Sequence, residues 1–567
     1  MKKLLKALSL VLAIVTVASC AFTGCAGGGG GGNKTVLRVW NYDGGVGHAW
    51  LTAAIERFEE LHAESEYAEG KVGVDIKELN DTDTNQLNTM DTSGYSVYFT
   101  QGIRFNDYQN KNGLLLNIND VVTTQIDGEE AGSTIESKLS ANTSSALKAF
   151  DGNYYVLPHY QSFDGVVYNR TLFEDKGFFF AENPADYESN LTSNLAYGFV
   201  SVDKKDDKTI RTVGPDGIRG NDDDGLPSSV EEFKRLLDYM IDSDVIPFIW
   251  MDGANKSYQM KFTNAVWANL EGYNGTMANF TFTSGQTKSR IITGWNGNEP
   301  TVEEKFITED NVYDIYQQES RYYALDLSAT VFDKTRDVKY YHPYAEDGAN
   351  KSNTLIQETF LKSYTQGTPV AMMLEGSYWE NELKSVGTYP NSAANLEIKM
   401  MPLPVQAKGS VTEGNGRKAV YLDTLAAYAF INGNVRTKHG EAVERLAKDF
   451  LKFLYTDQSL AEFTTTSSVV KDVNYDISSA QYDSLSSFAK TIWDVKETAD
   501  IVVPISSHPK FVKNSPAFTL FADIQFWNVT VGASSYQYPY LGLRAGVSAK
   551  DYFNAMKKDA SWWANLK

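Results

Sequence analysis

Apolar and polar positions near the start of the chain follow two different periods, and their order predicts an α/β fold. Residues 36–40 form an apolar run typical of a buried strand, and a glycine-rich loop follows from Asn41 to Gly47. From Trp50 to Leu61, apolar residues recur at the spacing of one helical face. Further strands are predicted at 72–76 and 95–100. This order indicates a parallel sheet with covering helices, and ligands bind at the carboxyl ends of such strands.

The same patterns return later in the chain, separated by long polar stretches. Strands are predicted at 154–158, 166–169, 245–250, 370–374, 398–403 and 419–431, and helices at 230–242, 440–454 and 550–566. Ser228 or Ser229 can cap the helix that begins at Val230, because Glu231 and Glu232 are placed for a capping box. Residues 253–350 show only weak periodicity, and no elements are predicted there. A chain of 567 residues in this pattern should form more than one lobe.

The first 32 residues predict export and lipid anchoring. Three lysines precede an apolar stretch that is too short to span a membrane stably, which is the layout of a signal peptide. Cys20 and Cys25 both follow small residues in lipobox-like contexts. We favour Cys25 as the lipidated residue, because Gly27 to Gly32 follow it as a flexible tether. We therefore expect a signal peptide at 1–24, a tether at 25–34 and a position on the extracellular face of the cell membrane.

Composition narrows the classes of partner. The chain has 52 lysines and arginines against 72 acidic residues, a net charge of −20, which argues against binding nucleic acid or anionic lipid. Its only two cysteines lie in the export segment, so thiolate chemistry is not expected in the body. Aromatic residues make up 13% of the chain, which suits a sugar-stacking surface or simple core packing. Composition cannot choose between these two readings.

Five segments, in order, resemble the extracellular solute-binding proteins of carbohydrate ABC importers, the group that includes maltose-binding protein. They are residues 37–40 with the helix ending at 55–59, residues 151–158 with 167–173, residues 367–372 with 375–379, residues 401–404 with 447–451, and Phe526-Trp527. The chain is longer than is usual in that family, chiefly between about 180 and 350.

The resemblance implies a two-lobed periplasmic-binding-protein-like fold with multiple hinge crossings. Lobe one would comprise 35–160 plus 405–456, and lobe two 161–404 plus 457–567. The implied function is capture of an oligosaccharide by a monomer that delivers it to ABC transporter permease subunits. The lipid anchor would be its only contact with the membrane.

Candidate sugar-binding residues come from strand ends, predicted crossings and family positions. A sugar site needs flat aromatic faces together with hydrogen-bond donors and acceptors. The candidates are Tyr42, Asp43, Tyr160, Gln161, Asp164, Trp250, Glu375, Tyr378, Trp379 and Trp527. The resemblance places a stacking aromatic at Tyr378 and another at Trp527. Because neighbours on a strand point to opposite sides, one of Tyr378 and Trp379 should face the cleft.

A second candidate site is an aspartate-rich loop at residues 214–225. Calcium takes six to eight oxygen ligands, often from such loops, although the spacing is not that of an EF-hand. The expected ligands of a structural Ca²⁺ are Asp216, Asp222, Asp223, Asp224 and Glu231. The alternative is a solvated acidic turn, with Glu231 favouring the helix start.

No motif predicts an enzyme. The sequence lacks Gly-x-Ser-x-Gly, the phosphate-binding Gly-x-x-x-x-Gly-Lys and the zinc-binding His-Glu-x-x-His. Its many carboxylates leave a surface glycoside hydrolase open as one alternative. A binding protein for another solute, such as a peptide, is the other.

Overall fold

The structure is a computed structural model. It describes residues 32–101, 113–149, 151–188, 198–252, 257–346, 351–393, 395–424, 427–504, 508, 510 and 526–566. Cys20 and Cys25, on which the anchoring prediction rests, lie outside these residues. Within the described ranges, no helix is both long and apolar enough to cross a membrane.

The described chain is a mixture of strands and helices, as the periodicity predicts. The strands are Thr35–Tyr42, Glu66–Ala68, Lys71–Val72, Val74–Asp81, Val97–Thr100, Leu157–Pro158, Asp164–Asn169, Ile246–Ile249, Lys288–Asn296, Glu299–Phe306, Val370–Gly376, Ile398–Met400, Val420–Leu422, Tyr428–Ile431, Asp500–Val502, Val529–Val531 and Ser534–Tyr536. The α-helices are Ala49–Leu61, Asn119–Thr123, Ile135–Lys138, Ala141–Leu147, Arg170–Lys176, Val230–Asp242, Ser257–Glu271, Tyr273–Thr281, Glu319–Val331, Asn353–Ser363, Trp379–Ser385, Val435–His439, Glu441–Phe453, Asp457–Ser467, Ser479–Ser484, Ser487–Thr498, Pro539–Arg544, Ala549–Ala555 and Ala560–Asn565.

The first sheet has five strands and is mainly parallel at its centre. Thr35–Tyr42 pairs in parallel with Val74–Asp81 and with Val97–Thr100, so three carboxyl ends lie at one edge. Tyr428–Ile431 joins antiparallel to Val97–Thr100 and carries Leu157–Pro158 on its other side. One face of the helix Ala49–Leu61 completes the packing, and its buried residues are Trp50, Leu51, Ala54, Ile55 and Phe58.

The second sheet has four strands in the order Ile398–Met400, Asp164–Asn169, Val370–Gly376, Ile246–Ile249. Val370–Gly376 runs parallel to Ile246–Ile249 and antiparallel to Asp164–Asn169. All residues of Val370–Gly376 are buried, because helices cover both faces of the strand. The two sheets, each with its own helices, form two α/β lobes, and the predicted fold class is confirmed.

The helix Val230–Asp242 has the predicted bounds, and of the two candidate caps, Ser228 and Ser229, the structure has Ser229. Ser229 accepts a hydrogen bond from Glu232 N, and the Glu232 side chain bonds back to the N-cap backbone. The reciprocal bonds satisfy two backbone donors at the helix start.

Within the described residues, three segments cross between the lobes. They are residues 159–163, residues 423 and 424 with 427, and residues 469–475. Neighbouring crossings run side by side, since Phe163 bridges to Asp423 and Gln161 N donates to Val470 O. The single strand predicted at 419–431 is therefore wrong. It is two strands in different sheets, Val420–Leu422 and Tyr428–Ile431, because the chain passes from one lobe to the other between them.

The predicted lobe boundary near residue 457 also differs. The helix Asp457–Ser467 packs on Ala49–Leu61 of the first lobe, and Arg57 bonds Glu462 across that contact. The chain crosses only after this helix. The predicted tail helix is likewise two helices, Ala549–Ala555 and Ala560–Asn565.

Candidate functional site

Polar and aromatic side chains from both lobes meet beside the crossing at residues 159–163. Tyr42 ends a strand of the first sheet, and Gln101 follows another. Tyr160, on the crossing, donates from its hydroxyl to Gln101 Oε1 at 2.5 Å. Burial, and then the charge of Glu382 from the second lobe, raise the pKa of Tyr42, so the two lobes face each other here. We call this set of facing side chains the cleft cluster.

Lys261 lies at the centre of the second-lobe side of the cleft cluster. Its ammonium lies 2.8 Å from Asp164 Oδ1 and donates to the Tyr378 hydroxyl at 2.5 Å. It also lies 4.8 Å from the centre of the Tyr258 ring. Burial alone would lower the pKa of Lys261, but the neighbouring Asp164, Tyr258 and Glu375 outweigh it and raise that pKa. Lys261 is therefore a fixed positive charge that orients a carboxylate and a phenol.

Two carboxyl groups lie beside Lys261, the buried Glu375 and the half-buried Glu382. The Gln357 amide donates to Glu375 Oε1 at 3.1 Å and to Glu382 Oε2 at 2.8 Å, which brings the two acids together. Burial, and then the charge of Glu382, raise the pKa of Glu375 above the ordinary glutamate value. Glu375 therefore keeps its proton to a higher pH than a free glutamate, and can both donate and accept hydrogen bonds.

A glycine turn of the first lobe covers the ring of Tyr378. Gly45 has a φ of +66°, and a Cβ placed on it would lie 3.3 Å from Tyr378 Cγ, so the backbone approaches the ring closely. The Asn381 amide donates to Gly45 O at 2.9 Å from the other lobe. The Asp43 carboxylate in the same loop bonds His48 at 2.8 Å. The lobes thus touch directly at the cleft.

Several predicted residues come together in the cleft cluster. Tyr42, Tyr160, Asp164, Glu375 and Tyr378 are linked by the contacts above, and Asp43 lies in the loop that covers Tyr378. The sequence predicts Tyr378 on a strand, and this prediction is wrong. The strand ends at Gly376, and Tyr378 is the N-cap residue of the helix Trp379–Ser385.

Gln161 points away from the cleft cluster. Its side-chain amide donates to Asp472 Oδ1 at 2.8 Å, whereas the neighbouring Tyr160 reaches Gln101. Successive side chains of extended backbone point to opposite sides. Its assignment to the sugar site is therefore corrected.

The three predicted tryptophans are completely buried. Trp250 packs on Phe332 and Tyr341, with ring centres 5.3 and 4.9 Å away. Trp379 packs edge-on against Phe488. An indole enclosed in this way offers no free face, so these two residues belong to the core.

Trp527 packs against the helix Ser257–Glu271 and supports it. Its indole N–H donates to Asn264 Oδ1 at 2.6 Å, on the helix that carries Lys261, and its ring contacts Trp267. It braces that helix and presents no face for stacking.

Sequence reasoning missed Lys261, Gln101, Gln357, Asn381 and Glu382. Lys261 follows Tyr258 by three residues, a spacing that puts both on one helical face, but the segment 253–350 had no readable period. The other four find their partners only through tertiary contacts with residues 18 or more positions away in the chain.

The aspartate loop does not assemble the predicted five-residue metal site. Asp222 pairs with Lys399, and Glu231 accepts a bond from Gly409 N. These contacts turn Asp222 and Glu231 away from a shared ion, and the described residues include no group of three or more His, Cys, Asp or Glu placed to hold one.

Two carboxylates of the loop do keep a free oxygen. Asp223 Oδ2 accepts from Asp216 N at 3.0 Å, and Asp224 Oδ2 accepts from Gly220 N at 2.7 Å. The other oxygen of each, Oδ1, is buried without a hydrogen-bond partner in the described part of the chain. Burial raises the pKa of both carboxyl groups, and the charge of Asp216 adds to this effect.

Comparison with known proteins identifies the fold. No protein-family model and no curated protein sequence match the chain. A solved chitin oligosaccharide binding protein is 13% identical, with a TM-score of 0.52, covering 94% of this chain and 99% of that one. The mannobiose complex of an ABC transporter binding protein from Bifidobacterium animalis subsp. lactis is 12% identical, with a TM-score of 0.52 and 94% of both chains covered.

Apo RafE from Streptococcus pneumoniae is 12% identical, with a TM-score of 0.51, covering 94% of this chain and all of that one. The alignments extend over nearly the whole of each chain. The predicted two-lobed binding-protein fold is confirmed.

Proposed function

We propose that this protein captures an oligosaccharide outside the cell and delivers it, as a monomer, to the permease of an ABC importer. The cleft cluster carries the proposal: two lobes joined by three crossings bring aromatic rings and fixed hydrogen-bonding groups face to face. The solved proteins of the same fold support it, since one is a chitin oligosaccharide binding protein and another was solved with mannobiose.

The chemistry of the cleft cluster suits sugar hydroxyl groups. The Asp164 carboxylate accepts hydroxyl hydrogens, in bonds that are stronger than neutral ones. The Glu375 carboxyl, whose pKa is raised by burial and by Glu382, can donate to a hydroxyl group or accept from one. Lys261 holds Asp164 and the Tyr378 phenol in place before ligand arrives, which lowers the entropy cost of binding. Separation of the Gly45 turn from Tyr378 would expose the ring face to a sugar, and closure would then bury the sugar from both sides.

The same contacts favour binding over hydrolysis. A glycosidase needs one carboxyl as acid and a second as base or nucleophile, set across the scissile bond. Here Asp164 is paired with Lys261, and Glu375 and Glu382 share one glutamine on the same side. We infer that the protein is not an enzyme.

Glycan-array screening followed by calorimetry tests this function. We expect micromolar or tighter binding of at least one oligosaccharide, about −8 kcal/mol or better. Binding of peptides alone, or turnover of the bound glycan, would contradict the proposal.

We also propose that Cys25 carries a lipid and holds the protein at the outer face of the cell membrane. The charged start, the apolar stretch and the glycine tether support this. Cell fractionation should find the protein in the medium when Cys25→Ser is expressed and in the membrane fraction with Cys20→Ser. The reverse result would assign the lipid to Cys20.

We further propose that Ca²⁺ binds the loop at 214–225 through the free oxygens of Asp223 and Asp224. Backbone carbonyls and water would complete the six to eight ligands. Calcium at a hundredfold excess over Kd should stabilise the fold by about 2.7 kcal/mol, which melting curves with and without chelator would show. The double variant Asp223→Asn/Asp224→Asn should lose this gain, whereas Asp222→Asn, on the Lys399 pair, should keep it. Identical melting curves in chelator and calcium would exclude the site.

A further inference from the structure

A polar pocket lies on the opposite side of the crossings from the cleft cluster. Its floor is formed by Gln161 of the first crossing and by residues 471–474 of the third. Ser140, Thr143 and Ala146 of the first lobe form one wall, and Tyr273, Met277 and Lys496 of the second lobe form the other. We call it the hinge pocket.

The orientation of Gln161 separates this pocket from the cleft. The Gln161 amide nitrogen donates to Asp472, while Tyr160 and Asp164 turn to Gln101 and Lys261 on the other side. A ligand in one place would therefore touch different side chains from a ligand in the other.

Gln161, which lines the hinge pocket, carries an unsatisfied hydrogen-bond acceptor. Gln161 is 2% exposed, and its Oε1 is buried without a partner in the described chain. The orientation of the Gln161 side-chain amide is fixed, because its nitrogen donates a hydrogen bond to the Asp472 carboxylate. A buried acceptor without a donor destabilises the fold, so a ligand that donates a hydrogen bond to Gln161 Oε1 would recover part of this cost.

Other groups around Gln161 match a hydroxyl-rich ligand. The half-buried Asp472 carboxylate adds an acceptor. Burial raises the pKa of Asp472 to about 6, and the charge of Lys496, an ammonium donor on the pocket wall, partly offsets this rise. Met277 and Ile501 supply apolar surface. Hydroxyl groups both donate and accept, and the C–H face of a sugar ring packs on apolar side chains.

The volume limits the size of the ligand. The pocket is partly open to solvent and has a volume of about 260 Å³. That equals roughly nine waters at about 30 Å³ each, below the ~300–1,000 Å³ of sites for drug-sized ligands. We propose that the hinge pocket binds a single monosaccharide or a cyclic polyol of similar size, separately from the oligosaccharide cleft. Because each lobe supplies a wall, the bound ligand would favour the lobe arrangement that contacts it on both sides.

Calorimetry with glucose, galactose, mannose, N-acetylglucosamine and myo-inositol tests the proposal on the purified protein. We expect saturable binding of at least one of these that persists in the cleft variant Tyr378→Ala. Gln161→Leu should weaken it tenfold or more. Met277→Trp, which fills the pocket from a partly exposed position, should do the same and guards against misfolding of the first variant.

Three results would overturn the proposal: no binding of any probe to the wild type, loss of binding in Tyr378→Ala, or unchanged binding in Met277→Trp. Each is independent of oligosaccharide capture, which the glycan array measures on its own.

Discussion

Replacing Tyr378 with alanine should weaken oligosaccharide binding by roughly 30- to 150-fold, which corresponds to about 2–3 kcal/mol. The ring is the aromatic face that the second lobe presents to the Gly45 turn, and its loss removes apolar contact area from the cleft. It also removes the hydroxyl that accepts from Lys261. Calorimetric titration with the best ligand from the glycan array measures the change.

Tyr378→Phe separates the two contributions. It keeps the ring and removes only the bond to Lys261, so we expect a loss of tenfold or less. Tyr482→Phe is the matched control, because that hydroxyl bonds Asp494 at an exposed position away from the cleft. Wild-type affinity in Tyr378→Ala would remove the residue from the sugar site.

Replacing Lys471 with methionine should change how stability depends on pH. Lys471 is buried, donates to His159 O at 2.7 Å and lies 4.1 Å from the Phe463 ring centre. Burial lowers its pKa to about 7 from the ordinary 10.5, and no ion pair offsets it within the described residues. The unfolded chain therefore binds this proton more tightly than the folded protein between about pH 7 and 10.5.

The direction of the effect follows from proton linkage. Where the unfolded state holds more protons, stability rises with pH. One pKa unit corresponds to 1.36 kcal/mol, so Lys471 should add roughly 2–3 kcal/mol to the wild-type stability between pH 7 and 9. Lys471→Met has no such proton, and should be the more stable protein at pH 7 with the difference shrinking towards pH 9.

Urea unfolding of both proteins at pH 7, 8 and 9 measures this difference, and the comparison cancels titrating groups away from Lys471, such as Glu375. Lys496→Met is a suitable control, since Lys496 pairs with Glu497. If the free energies of unfolding of Lys471→Met and wild type differed by a constant amount over this pH range, Lys471 would be shown to stay charged in the folded protein.

The sequence indicated the cleft well where a strand end or a crossing carried the side chain. Tyr42 was proposed from the carboxyl end of a strand, Tyr160 and Asp164 from a predicted crossing and Glu375 from its place before Gly376, and the structure brings the four together. The sequence did not identify Lys261, because its helix, Ser257–Glu271, is packed on most sides and has no single apolar face. The tryptophans were wrongly assigned to the sugar site, because a large ring suits a stacking site and a core equally well.

By itself, the sequence determined the α/β class, most strands of the two main sheets and the capped start of the helix at Val230, because hydrophobic period and capping chemistry act between near neighbours. Tertiary structure alone decided that residues 419–431 change sheets, that Gln161 faces Asp472, and that Lys261 joins Asp164 to Tyr378. These depend on contacts between residues far apart in the chain. Burial then set the proton affinities of Lys471 and Glu375, since desolvation depends on what surrounds a charge and not on its neighbours in sequence.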